Sequence, residues 1–193
     1  MVYRVISILC GEVNVGFELG FAEVQEEGGN WSTKLSHNTS IPFALDIKND
    51  LLSLQNLNGK KIFELHRKLG QIAGNHVKDF ISINSLQFKV GLIGFNGFAN
   101  EFTARYPLGD GGALAAITKL PVVSDLSTMD IAMGGSGTSG KQLAVMAGSA
   151  TSGLTSIAVA AVLRWREEIN HFSNETGSTA DTVGGALWMG SGE

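Results

Sequence analysis

Cysteine occurs once in this chain, at Cys10, and proline only three times. A lone thiol cannot close an internal disulfide, so the fold is not stapled and a reducing, cytoplasmic setting is expected. Cys10 ends an apolar strand, where a buried thiol is inert. Charge is also scarce: 17% of residues are charged, the formal net charge is -4, and no run of five or six like charges occurs. That excludes the cationic footprint on which nucleic-acid binding depends. The four histidines, His37, His66, His76 and His171, show no metal-ligand spacing, so no metal site is expected from them. His66 and His76 lie on or beside the apolar face of one helix, where a core or boundary role is expected. No Ser/His/Asp triad is readable.

Long apolar runs are nearly absent. The opening "MVYRVISILC" has one basic residue and too short an apolar core for a secretory leader, and it reads as a strand. Residues 143–163 carry no charge and are long enough to cross a bilayer, but Gly148, Ser149, Thr151, Ser152, Gly153, Thr155 and Ser156 interrupt them. We read a loop followed by a buried helix, with no membrane partner.

What is present is a 44% apolar chain of 193 residues with 25 glycines, which predicts one α/β domain rich in tight turns. Residues 2–10, 17–25 and 31–41 read as three antiparallel strands, and "EEGGN" supplies a hairpin turn between the second and third. Leu65, Leu69, Ile72, Ala73, His76, Val77 and Phe80 recur at helical spacing, predicting a helix over 60–81. A buried strand over 88–95, a short helix over 112–119 and a strand over 120–126 follow, an alternation that implies parallel pairing. Residues 134–152 form a Gly/Ser-rich linker, and 153–169 read as a buried helix with Ser152 or Thr151 as N-cap and Trp165 as a core anchor. The chain thus divides into an αβ core over 1–133, the linker, and a C-terminal helix and tail over 153–193 that packs back on the core. Trp188 in that tail is expected near the surface.

Three meandering strands followed by helix, strand, helix and strand resemble the ribonuclease H-like first domain of actin-like and sugar-kinase ATPases. The stretches "RVISILCGEVNVGFELGFAEV", "VGLIGFNGFANEF" and "PLGDGGALAAITKLPVVSDLSTMDIAMGGSG" are similar to the anhydro-N-acetylmuramic acid kinase family, bacterial enzymes of peptidoglycan recycling. "AVLRWREEINHFSNETGSTADTVGGALW" is similar to that family's extreme C-terminus, so the resemblance joins a first domain directly to a terminal helix with the second domain lacking. The fold implied is a mixed five-stranded sheet, three antiparallel strands then two parallel ones, with helices on both faces.

The resemblance assigns roles residue by residue. The family's phosphate loop carries hydroxyls and an aspartate, which hold phosphate and magnesium. Its matching loop here, framed by Gly11 and Gly16, has Glu12, Val13, Asn14 and Val15. Asn96 stands where the family has a histidine, and it can hydrogen-bond a sugar but not shuttle a proton near neutral pH. Gly109, Asp110 and Gly111 precede a helix, where backbone amides can hold an anion and Asp110 can cap. Asp130 matches the catalytic base and Asp125 a second carboxylate, with Gly134 and Gly135 following in the substrate loop. The family's basic residues between the two aspartates are replaced by Ser127, Thr128 and Met129.

The expected function is therefore a degenerate homologue without efficient kinase activity, acting as a binding or interaction module. The alternatives are a residual ATP-dependent amino-sugar kinase completed by dimerisation, and a chaperone-like actin-fold protein. ATP and magnesium follow from the resemblance only. Expected partners are a second copy of the chain, a sugar or a protein.

Overall fold

A computed structural model of the chain describes residues 1–100, 103, 106–126, 128 and 153–176, with side chains as far as Glu167. Five strands form one sheet in the order β3-β2-β1-β4-β5. They are β1 (Val2–Cys10), β2 (Phe17–Glu27), β3 (Asn30–Ile41), β4 (Leu92–Asn96) and β5 (Val122–Val123). β1 runs antiparallel to β2 and β2 to β3, whereas β1 pairs with β4 and β4 with β5 in parallel. This is the expected ribonuclease H-like order. The β2–β3 turn has Gly28 and Gly29 both at positive φ, as a two-residue hairpin requires.

Alternation along β1 divides the core in two. Ile6, Ile8 and Cys10 face one layer with Phe17, Leu19 and Phe21 of β2. Onto them pack α1 (Leu45–Leu52), a short 3-10 turn (Leu54–Asn56), α2 (Gly59–Ile83) and α3 (Gly111–Thr118). α2 buries Leu65, Leu69, Ala73, Val77 and Phe80, a stripe at the spacing of one helix face. Val5, Ala22, Val24 and Leu92 face the other layer, covered by Ala158, Val159, Ala161 and Val162 of α4 (Gly153–Thr176). The far side of α4 is tied to the β2–β3 hairpin: Arg166 pairs with Glu26 at 2.8 Å and lies 5.5 Å over the Trp31 ring. Trp165 is half-buried against this same layer.

Four differences from expectation stand out. The strand expected from residue 88 begins at Leu92, because Phe88 adopts φ +62° in a turn closed by the Lys89 amide on the Leu86 carbonyl at 3.0 Å. The strand expected over 120–126 shortens to Val122–Val123, since Asp125 turns away at φ +54°. α1 and the 3-10 turn were not expected at all: eight and three residues are too short to show a helical period. The helix expected over 153–169 extends to Thr176. Asp130, the whole linker over 134–152 with Gly134 and Gly135, and residues 177–193, including Trp188, lie outside the described residues. Among the described residues no helix is long and apolar enough to cross a membrane.

Candidate functional site

β1, β4 and β5 are mutually parallel, so their C-terminal ends open at one edge of the sheet. In open α/β sheets that edge is where ligands bind. Leu9 pairs with Asn96, and Gly94 with Val123, which brings the β1–β2 turn, the segment after Asn96 and the Ser124–Asp125 segment onto this edge.

The β1–β2 turn closes on its own backbone. Gly11 N–H donates to the Gly16 carbonyl at 2.8 Å, and the Glu12 carbonyl accepts from both Val15 (2.8 Å) and Gly16 (3.1 Å). Gly16 sits at φ +95°, and a β-carbon there would lie 2.1 Å from the Ile41 carbonyl oxygen, so both conformation and space demand glycine. Glu12, Asn14 and Val15 are exposed, while Val13 packs against the core. Val13 and Val15 offer no oxygen, the Glu12 carboxylate would repel phosphate, and three of the turn's amides are already bonded internally. This donor set does not fit a magnesium-bound triphosphate. Beneath the turn, burial pushes the Cys10 thiol far above its usual range, opposed in part by a backbone hydrogen bond from Phe98. The thiol is buried, as expected from sequence.

The second half of the edge is held differently. After Asn96 the chain forms a short antiparallel bridge, Phe98 with Leu108, then reaches Gly109 and Asp110. Gly109 N–H donates to His66 Nδ1 at 3.0 Å, and Asp110 N–H to the His66 carbonyl at 3.1 Å. A single α2 residue therefore holds two consecutive amides. Accepting at Nδ1 places the imidazole proton on Nε2. The segment presses on α2 at Gly70, where a β-carbon would lie 2.1 Å from the Asp110 carbonyl oxygen. Asp110 then caps α3, its carboxylate accepting from the Ala113 amide at 2.9 Å. The carboxylate of Asp125 accepts from the Ser124 hydroxyl at 3.2 Å and is exposed.

The structure thus brings together the turn glycines, Glu12, Asn14, Asn96, Gly109, Asp110 and Asp125. The capping role expected of Asp110 is observed. His66 escaped notice as part of this edge, because nothing local marks a histidine whose partner is 43 residues away. Among the described residues no group of three His, Cys, Asp or Glu side chains is placed to hold a metal ion.

The family model of anhydro-N-acetylmuramic acid kinase matches residues 3–153, the span that contains every candidate residue named above. The anhydro-N-acetylmuramic acid kinase of Bacillus cereus (strain AH187) is 28% identical over 146 residues, covering 69% of this chain and 38% of that protein. That of Bacillus thuringiensis (strain Al Hakam) is 28% identical over 149 residues, covering 70% and 39%. The chain therefore spans roughly two fifths of the length of these curated relatives. Among solved structures, Thermus thermophilus RuvC aligns over 92% of this chain and 97% of its own, with TM-score 0.33 and 14% identity. The family match stops where α4 begins, so the C-terminal resemblance lies outside it. With the match covering most of the sequence and the sheet order in place, the chain belongs to the anhydro-N-acetylmuramic acid kinase family.

Proposed function

We propose that this family member uses the kinase scaffold to bind a ligand or partner without efficient phosphoryl transfer. The observation that carries the reading is the self-closed β1–β2 turn, whose Gly11, Val15 and Gly16 amides are bonded within the turn and whose side chains include two valines. Phosphoryl transfer rests on positioning and on neutralising the charge of the transferred group. Val13 and Val15 offer no oxygen, and the Glu12 carboxylate would repel the phosphates, so the turn contributes little to either. Asn96, Asp110 and Asp125 retain hydrogen-bonding capacity on the same edge, which suits a polar ligand such as an amino sugar.

Calorimetric titration tests this. Magnesium-ATP is expected to give no binding heat with the natural sequence. The combined variant Glu12→Ser, Val13→Ser, Val15→Asp restores oxygens to the turn and is expected to gain measurable binding. Magnesium-ATP binding and turnover by the unaltered chain with 1,6-anhydro-N-acetylmuramic acid would overturn the reading.

A further inference from the structure

At the opposite edge of the sheet, where β1 and β4 begin, a groove of about 300 Å³ is lined by Val2, Tyr3, Arg4, Lys89, Leu92 and Trp165. It joins two parts of the chain: β1 from Tyr3 and the entry to β4 lie within the family match, whereas Trp165 of α4 lies beyond it. Its charge is positive in a chain of net charge -4. Lys89 makes no ion pair among the described residues, and Arg4 engages Glu23 through Nε alone, at 3.1 Å, leaving the other guanidinium N–H groups for a second carboxylate. Trp165 and Tyr3 add aromatic surface that accepts apolar groups.

The residue before Lys89 is the second observation. Phe88 is fully exposed and held at φ +62°. A left-handed conformation is unfavourable for a non-glycine residue, and leaving the ring in water forfeits the stabilisation of burial. The ring cannot simply fold inward: Leu86, two residues earlier, is buried in the core, and the Leu86–Lys89 hydrogen bond fixes the turn. Strain and exposure at one fixed tip mark a surface built for contact. Val2, on the groove wall, is also half exposed.

We infer that the groove and Phe88 form a docking surface for an acidic peptide segment of a partner protein, one carrying a carboxylate beside a large apolar side chain. The carboxylate meets Lys89 and Arg4, and the apolar side chain enters the groove against Trp165 while Phe88 covers it. A free small anion would leave Phe88 and Val2 bare. Two cations are too few for a phosphate backbone, whose binding needs an extended cationic stripe. The surface stands whether or not the other edge transfers phosphate, so the nucleotide titration and the following selection fail separately.

The test is to pan a random dodecapeptide library displayed on phage against the full chain, then measure labelled synthetic copies of the enriched sequences by fluorescence anisotropy. Enriched peptides are expected to pair acidic residues with a large apolar one, and to lose affinity as salt is raised. Lys89→Glu is expected to weaken them by about tenfold or more, as is Phe88→Gly. The Phe88→Gly variant suits the left-handed turn, so it keeps or raises thermal stability while removing the ring. No enrichment above background, peptides without an acidic bias, or binding unmoved by both variants would overturn the proposal.

Discussion

The β1–β2 turn and the Gly109–Asp110 segment share one edge of the sheet but are held in opposite ways. The turn's hydrogen bonds close on the turn itself, from Gly11 to Gly16, so its backbone shape depends chiefly on local bonds and on glycine. The Gly109–Asp110 segment is bonded to His66 and seated on Gly70, both on a helix some forty residues earlier. A self-closed turn tolerates varied exposed side chains, which is how Glu12, Asn14 and Val15 can occupy the β1–β2 turn without disturbing the fold. A segment held from outside requires particular residues on the element that holds it.

Glycine substitutions should separate the two arrangements with the largest effect. Gly16→Ala combines a positive φ with a backbone collision and is expected to destabilise by about 3 kcal/mol or more. Gly70→Ala meets the Asp110 carbonyl and should cost about 2–3 kcal/mol. Gly28→Ala, at positive φ in open space, should cost only about 1 kcal/mol. Urea denaturation ranks the three. Amide shifts in Gly70→Ala should move at Gly109 and Asp110 and stay fixed from Glu12 to Val15, and movement of both sets alike would erase the contrast.

A smaller effect sharpens the external hold. His66→Ala orphans the Gly109 amide and is expected to cost about 1–2 kcal/mol. Asp110→Ala removes a cap worth about 1 kcal/mol. Because the two residues share one segment, their double-mutant cycle should show coupling, whereas pairing His66→Ala with Asn14→Ala in the turn should be additive.

The smallest effect concerns His76, the second histidine on α2, which packs edge-on against Phe17 at the foot of the turn, 5.5 Å between ring centroids. Desolvation lowers its pKa from the usual 6.5, opposed in part by the charge of Asp79. With the folded value below the unfolded one, the unfolded chain binds more protons in the window between them. This part of the stability is present in full above 6.5 and is lost as pH falls through the lowered folded value. Denaturation midpoints should decline with acidification, and His76→Gln should flatten the decline.

Much of this was legible in the sequence. Strand alternation in β1 and β2, the helical stripe of α2, the double-glycine hairpin and the Asp110 cap are local patterns written within a few residues of one another. The boundaries of β4 and β5 were not, because an apolar run such as "FKVGLIGF" looks the same whether its first residues enter the sheet or turn in solvent. α1 was hidden by its shortness.

By itself the sequence determined the periods of the elements, the family and the residues of the β1–β2 turn, since all three depend on residue type at short spacing. The tertiary structure decided that His66 holds the Gly109–Asp110 segment, that Gly70 is where that segment crosses α2, and that Phe88 stands exposed beside a cationic groove. Each of these depends on how α2 and α4 dock on the two faces of the sheet, a matter of side-chain volume between residues far apart in the chain.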